Sequence, residues 1–305
     1  MLNWIFIADT LGANSPNKSG TGINWTPYLS ILLSILGIGG GVSVIQIIKS
    51  WRNKKVYVKE ITKANDDDLH EFIDLYENII SENTRITAEE IIEWIPKKKL
   101  NKKKEVTHNL FLCKQGNKVI GFLKTMYCND SNYMFIAYLG IDKEVANARK
   151  IASKYMVNKL ESSLKKNFSK CQGIFFEVEA PNDKIEVAEN QQRKAKIRLF
   201  KEAIKKRGHI AYEVDIKYTQ PEIPNNYQSS TKDEELILLY VPLKIKYPQN
   251  LISKKHLIES LQFIYFKIYA PTHHKDKEMD ELYKNYLASK LEEYKKNLPD
   301  KIKLK

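Results

Sequence analysis

Two carboxylates one residue apart are the first candidates for chemistry. Glu177 and Glu179 flank Val178 in Gly173-Ile-Phe-Phe-Glu-Val-Glu179, and the two-residue period of a strand turns both to one face. A carboxylate so placed can act as a base, directly or through water. Glu179 is also followed by Pro181, Arg193 and Arg198, so an ion pair that serves only the fold is an equal reading. The second candidate is a helix start at Arg149-Lys-Ile-Ala-Ser-Lys154. Free backbone N–H groups at such a start bind anions, and a diphosphate fits over residues 149–154 if the preceding loop splays away from its strand.

Other chemistries find no support. The six histidines, His70, His108, His209, His256, His273 and His274, form no His-Glu-x-x-His pattern, so no metal site is expected. Nucleophile elbow, phosphate-binding loop and dinucleotide fingerprint are all missing, and Gly37 to Gly41 sit inside an apolar run. Cys113, Cys128 and Cys171 are odd in number and widely spaced. They suit neither a disulfide framework nor a thiolate cluster, which implies a reduced, cytosolic body.

The elements that position these residues lie in a basic chain of 305 residues with a net charge of +13 and 43% hydrophobic residues. Such a composition excludes a disordered or collagen-like chain. The charge is unevenly placed: residues 1–48 hold only Asp9 and Lys18 as charged side chains. The stretch 27–48 is free of charge and as a helix would span roughly 33 Å, a bilayer's hydrocarbon thickness. Lys49, Arg52, Lys54 and Lys55 follow it, so the positive-inside rule predicts a single-pass helix in the cell membrane, N-terminus outside and C-terminal body in the cytoplasm. Gly37 and Gly39 to Gly41 offer a face for pairing copies of the chain.

Beyond residue 52 the pattern mixes helix and strand. Strands are expected at 56–61, 109–114, 119–127, 133–141, 173–179, 209–219 and 235–243. Helices are expected at 66–80, from Thr87 with a capping box, at 148–166 and at 193–207. The helix at 148–166 should bury Ile151, Tyr155, Met156, Leu160 and Leu164. Two further helices, 251–269 and 277–297, should dock on the domain or on a second copy of it, the last burying Met279, Leu282, Tyr286, Leu287 and Leu291. The division is thus 1–52 with the span, a domain at 53–247, and a helical extension at 248–305. The fold class is α+β: a twisted mixed sheet of about seven strands flanked by helices.

The order of elements over residues 56–243 resembles the GCN5-related N-acetyltransferase (GNAT) superfamily. The likeness rests on the meander ending in Phe135-Ile-Ala-Tyr-Leu-Gly-Ile141, the helix opening at Arg149 to Lys154, the strand Phe175-Phe-Glu-Val-Glu-Ala-Pro181, the helix Arg198 to Gly208, and Tyr218-Thr-Gln-Pro221. It implies acetyl-CoA or another acyl-CoA as co-substrate and an amine as acceptor. It further implies coenzyme contacts from Leu139, Gly140, Ile141, Arg149, Lys150, Ile151, Ala152, Ser153, Lys154 and Phe200, with Glu177 or Glu179 as base. At the helix start, Ala152 and Lys154 depart from the family pattern, standing where small residues, the first a glycine, belong. Phe200 stands where the family's acid, a tyrosine, is usual, and Tyr138, Tyr212 or solvent would have to substitute.

Two functions from different classes follow. One is a membrane-anchored acyltransferase that faces the cytosol. The other is a catalytically degenerate adaptor that keeps the fold and acts through its span and protein partners. The basic surface lacks aromatic interleaving or a reader motif, so nucleic acid is not an expected partner.

Overall fold

The computed structural model describes residues 55–80, 86–95, 106–145, 148–182, 185–219, 221, 235–244, 247, 250–270 and 277–305. The apolar stretch 27–48 lies outside them, and among the described residues no helix is long and apolar enough to cross a membrane.

Four strands form an antiparallel run: β1 (Val56–Ile61), β2 (Val106–Gln115), β3 (Lys118–Cys128) and β4 (Tyr133–Ile141). Helix α3 (Ala148–Lys166) then carries the chain to β5 (Gly173–Glu179), which lies parallel to β4. Helix α4 (Val187–Lys205) follows, and β6 (Tyr212–Glu213), β7 (Tyr218–Thr219) and β8 (Glu235–Pro242) complete the sheet, with β8 antiparallel to β5.

The sheet is filled on both faces. Phe175 belongs to one core and its neighbour Phe176 to the other, as the strand period requires. On one face α3 and α4 bury Ala152, Met156, Leu160, Ile197 and Ile204. The opposite face carries α1 (Leu69–Ile79), α2 (Ala88–Glu93), α5 (Lys254–Phe263) and α6 (Lys277–Asn297). A π-helical turn, Ile264–Tyr269, extends α5. Thr87 starts α2 with a reciprocal capping box, its hydroxyl accepting from Glu90 N–H while the Glu90 carboxylate accepts from Thr87 N–H.

Several expectations need correction. Helix α4 begins at Val187, six positions before Arg193, because Ala188-Glu-Asn-Gln-Gln192 favours helix without any apolar period to reveal it. Residues 251–269 are not one helix: Leu251–Ser253 forms β9 against β10 (Lys301–Lys303), and Ser253 then caps α5 by accepting from His256 N–H. The 209–219 stretch is two short strands, since Val214 between them bridges to Leu304. Tyr155 is 39% exposed and Leu282 is 53% exposed, so neither belongs to a buried stripe. The buried stripe of α6 is instead Tyr283, Leu287 and Leu291, at a four-residue spacing, and it packs into the protein's own core.

Candidate functional site

The pairing of β4 with β5 lasts for three residue pairs, Tyr133–Gly173, Met134–Ile174 and Phe135–Phe175. Beyond them β4 stays paired with β3 and β5 with β8, so the two strands part and leave a wedge between them. The cause is a β-bulge. Lys124 faces Tyr138 while Thr125 faces Ile136, which leaves Ala137 as an extra residue in β4. The bulge resets alternation: Ala137 and Tyr138 both belong to the α1/α5 core, and Leu139 and Ile141 to the α3/α4 core. Bulges bend a strand and end its pairing in this way.

The wedge opens at the carboxyl ends of β4 and β5, where α3 and α4 begin. In open sheets, ligands seat in such a crevice beyond the strand ends. The α3 start is fixed by its loop. Asp142 Oδ1 accepts from Glu144 N–H at 2.8 Å, Lys118 pairs with Asp142 at 2.9 Å, and Ala148 N–H donates to Val145 C=O. No acidic residue stands in the first turn of α3, a setting that suits an anion at the positive end of the helix.

The residues expected around a coenzyme distribute along this wedge. Leu139 and Ile141 line the α3/α4 face of the parted strand. Gly140 has a packing role as well, because a Cβ there would lie 2.3 Å from the Phe122 ring. Arg149, Lys150 and Ile151 form the first turn of α3. Ala152 is buried and would stand 3.4 Å from a Cβ on Gly121, so a small residue at 152 lets α3 approach β3 closely. Ser153 is half-buried, and Lys154 points to solvent and does not plug the wedge. Phe200 is half-buried with its ring 3.8 Å from that of Phe176.

The two carboxylates have different surroundings. Glu177 is fully buried on the α1/α5 side. It accepts from the Tyr218 hydroxyl and, at 2.6 Å, from the Tyr269 hydroxyl of the π-helical turn. Burial pushes its carboxyl up, against the two hydroxyl donors that favour the ionised form. Glu179 sits at the mouth of the wedge, 2.9 Å from Lys196 and 3.9 Å from Arg193. Arg193 also bonds the Ala180 carbonyl and Glu189. An ion pair is therefore what Glu179 makes on this fold.

Of the substitutes for a missing acid, Tyr138 is the one beside the wedge. Its hydroxyl accepts from Ile86 N–H at 3.3 Å, and burial pushes its pKa up to about 12. Tyr212 lies on β6, two strands beyond β5. Sequence reasoning missed Tyr269 and Lys124. Tyr269 was hidden in an expected straight helix, although Tyr265 and Tyr269 share a four-residue spacing. Lys124, a lone charge in an apolar strand, was the visible signal for an unusual group. It is 2% exposed, its amine lies 3.9 Å over the Trp94 ring, and burial pulls its pKa well below the ordinary lysine value. Among the described residues no group of histidine, cysteine and carboxylate side chains could hold a metal ion.

No family model and no curated protein matches the chain. Among solved structures it is similar to an aminoglycoside 6'-N-acetyltransferase complexed with coenzyme A, at TM-score 0.41 and 12% identity, over 63% of this chain and 98% of that one. It is likewise similar to the ribosomal-protein-S18-alanine N-acetyltransferase from Escherichia coli, at TM-score 0.40 and 13% identity, over 63% and 97%. A GNAT-family acetyltransferase from Streptococcus pneumoniae gives TM-score 0.40 and 12% identity over 62% and 100%. With TM-scores below 0.5, none of the three fixes the activity of this chain.

Proposed function

We propose that this protein binds an acyl-CoA in the wedge between β4 and β5 and transfers the acyl group to an amine. The observation that carries this reading is the end of β4–β5 pairing after Phe135 and Phe175, in front of a helix start without a carboxylate. The backbone N–H groups of the first turn of α3, from Arg149 onward, would hold the diphosphate. The parted edge of Leu139 to Ile141 would receive the amides of the carrier arm, and Phe200 over Phe176 would cover it. When bound, the coenzyme supplies an acyl group activated as a thioester.

Proton removal from the amine falls to a carboxylate of β5. Glu177 is the better suited, since burial raises its proton affinity, while Glu179 is engaged by Lys196 and Arg193. Glu177 nevertheless lies beneath Tyr218 and Tyr269, and this favours a second reading: a wedge that binds a thioester carrier without turnover, as in an adaptor. Residues 27–48 would tether either form to a membrane, a proposal supported by their lack of charge and the cations that follow them.

Titration calorimetry of the full chain with acetyl-CoA tests the wedge. Binding that weakens about tenfold or more in Arg149→Glu supports it, and no heat of binding in the wild type overturns it. Acetyl release against mixed amines, lost in Glu177→Gln, selects the enzyme; binding without turnover selects the adaptor. Extraction of the full chain from membranes by alkaline carbonate would overturn the tether.

A further inference from the structure

The cations of α4 divide by face. Those turned to the sheet and to α3 are matched: Arg193 with Glu189, Lys196 with Glu179, and beyond the helix Arg207 with Glu161. Lys194, Arg198 and Lys205 are exposed, and among the described residues no carboxylate pairs with them. Together with Lys201 they follow a 4-3-4 spacing, which lines them up along one side of the helix.

That side forms one wall of a groove of 720 Å³, within the range of small-molecule sites. The opposite wall is the β6 edge with Glu213 and Lys305, and the floor is apolar, from Ile197, Ala211 and Ile237. Ile210, 58% exposed, stands at its rim. The groove lies over the β8–β6 edge, whereas the wedge lies between β4 and β5. Its two side-chain carboxylates do little to balance it: Glu213 is taken by Lys201, which leaves Glu202, and the Lys305 main-chain oxygen is already bonded by Glu213 N–H. Lys305 is held by Asp215 and His209 also borders the groove. Three like charges along one helix repel one another, and an anion laid against them relieves that repulsion. An apolar floor below a cationic wall selects for a ligand with both characters.

We propose that this groove is a second ligand site, separate from the wedge, for a small phosphate-bearing amphiphile whose apolar body rests on Ile197, Ala211 and Ile237 while its phosphate meets Lys194, Arg198 and Lys205. Lipid-like and nucleotide-like molecules share this chemistry, and the test separates them. Octyl phosphate and AMP are titrated separately into the full chain, with 1-octanol, adenosine and inorganic phosphate as their halves. At least one of the two phosphates is expected to bind about tenfold more tightly than its halves, and more weakly as salt is raised. Octyl phosphate alone marks a lipid-like ligand, and AMP alone a nucleotide. The combined variant Lys194→Glu, Arg198→Glu, Lys205→Glu, all at exposed positions, should lose this affinity about tenfold or more. Arg149→Glu, at the wedge, should leave it unchanged whether or not acetyl-CoA binds there. The proposal falls if neither phosphate binds, if the triple variant binds as the wild type does, or if Arg149→Glu abolishes binding that the triple variant keeps.

Discussion

The two sides of β5 handle charge in opposite ways. On the α4 side, cations and carboxylates meet in pairs, as at Lys196–Glu179 and Arg207–Glu161, and the strands part to leave a crevice. Opposite, the packing is aromatic and sealed. Phe72, Tyr76 and Phe122 meet edge to face or tilted, and Tyr133 and Tyr247 share the His256 Nε2. Buried within it, Glu177 is answered by neutral hydroxyls. Two glutamates two positions apart in β5 thus acquire unlike properties from their surroundings alone. The lesson is that residue type and spacing named the carboxylates, whereas the helices laid over them decide what each can do.

The sharpest way to break this contrast is Glu177→Ala. It strips two buried tyrosine hydroxyls of their acceptor and leaves a void, at a cost of about 3–5 kcal/mol; denaturant midpoints that move by less than ~1 kcal/mol would put Glu177 outside the structural core. Gly140→Ala should follow at about 1–3 kcal/mol, since the new methyl would lie 2.3 Å from the Phe122 ring. A melting temperature equal to the wild type's would show that β4 can shift there freely. Glu179→Gln, at a largely buried pair, keeps an amide oxygen to accept from Lys196 and should cost about 1–2 kcal/mol, and a loss as large as that of Glu177→Ala would erase the distinction between the two glutamates.

Acidity sharpens the comparison further. Burial raises the Glu177 pKa above its unfolded value, so the folded form binds this proton more tightly. The stability it confers is complete below the unfolded pKa and is lost as pH rises through the folded one. Unfolding curves at a series of pH values should therefore show this decline in the wild type and a flatter profile in Glu177→Gln. A steeper decline in the variant would reverse the assignment.

Much of the scaffold was legible because its strands and helices carry strong periods. The strands at 56–61, 133–141 and 173–179, and the helices at 148–166 and 277–297, fall where the pattern puts them. Short or irregular pieces were not legible. Three-residue strands such as β9 and β10 exist only through each other, and a π-helical turn has the same apolar content as an α-helical one. The wedge was named from resemblance, but its cause, one surplus residue opposite Lys124 and Thr125, leaves no mark in composition. Glu177 read as a candidate base on equal terms with Glu179 because its cover comes from Tyr218 and Tyr269, 41 and 92 positions away. No local pattern reports a lid supplied from that far along the chain.

Ala137 shows what that surplus residue does for the molecule. As the extra member of its strand it acts as a phase shift: everything from Tyr138 to Ile141 is read one step out of register with Tyr133 to Ile136. Deleting it would restore an unbroken alternation, with Tyr138 still toward the tyrosines and Leu139 still toward α3, and would remove the bend that carries β4 away from β5. The strand should therefore tolerate a change in the kind of residue at 137 better than a change in their number.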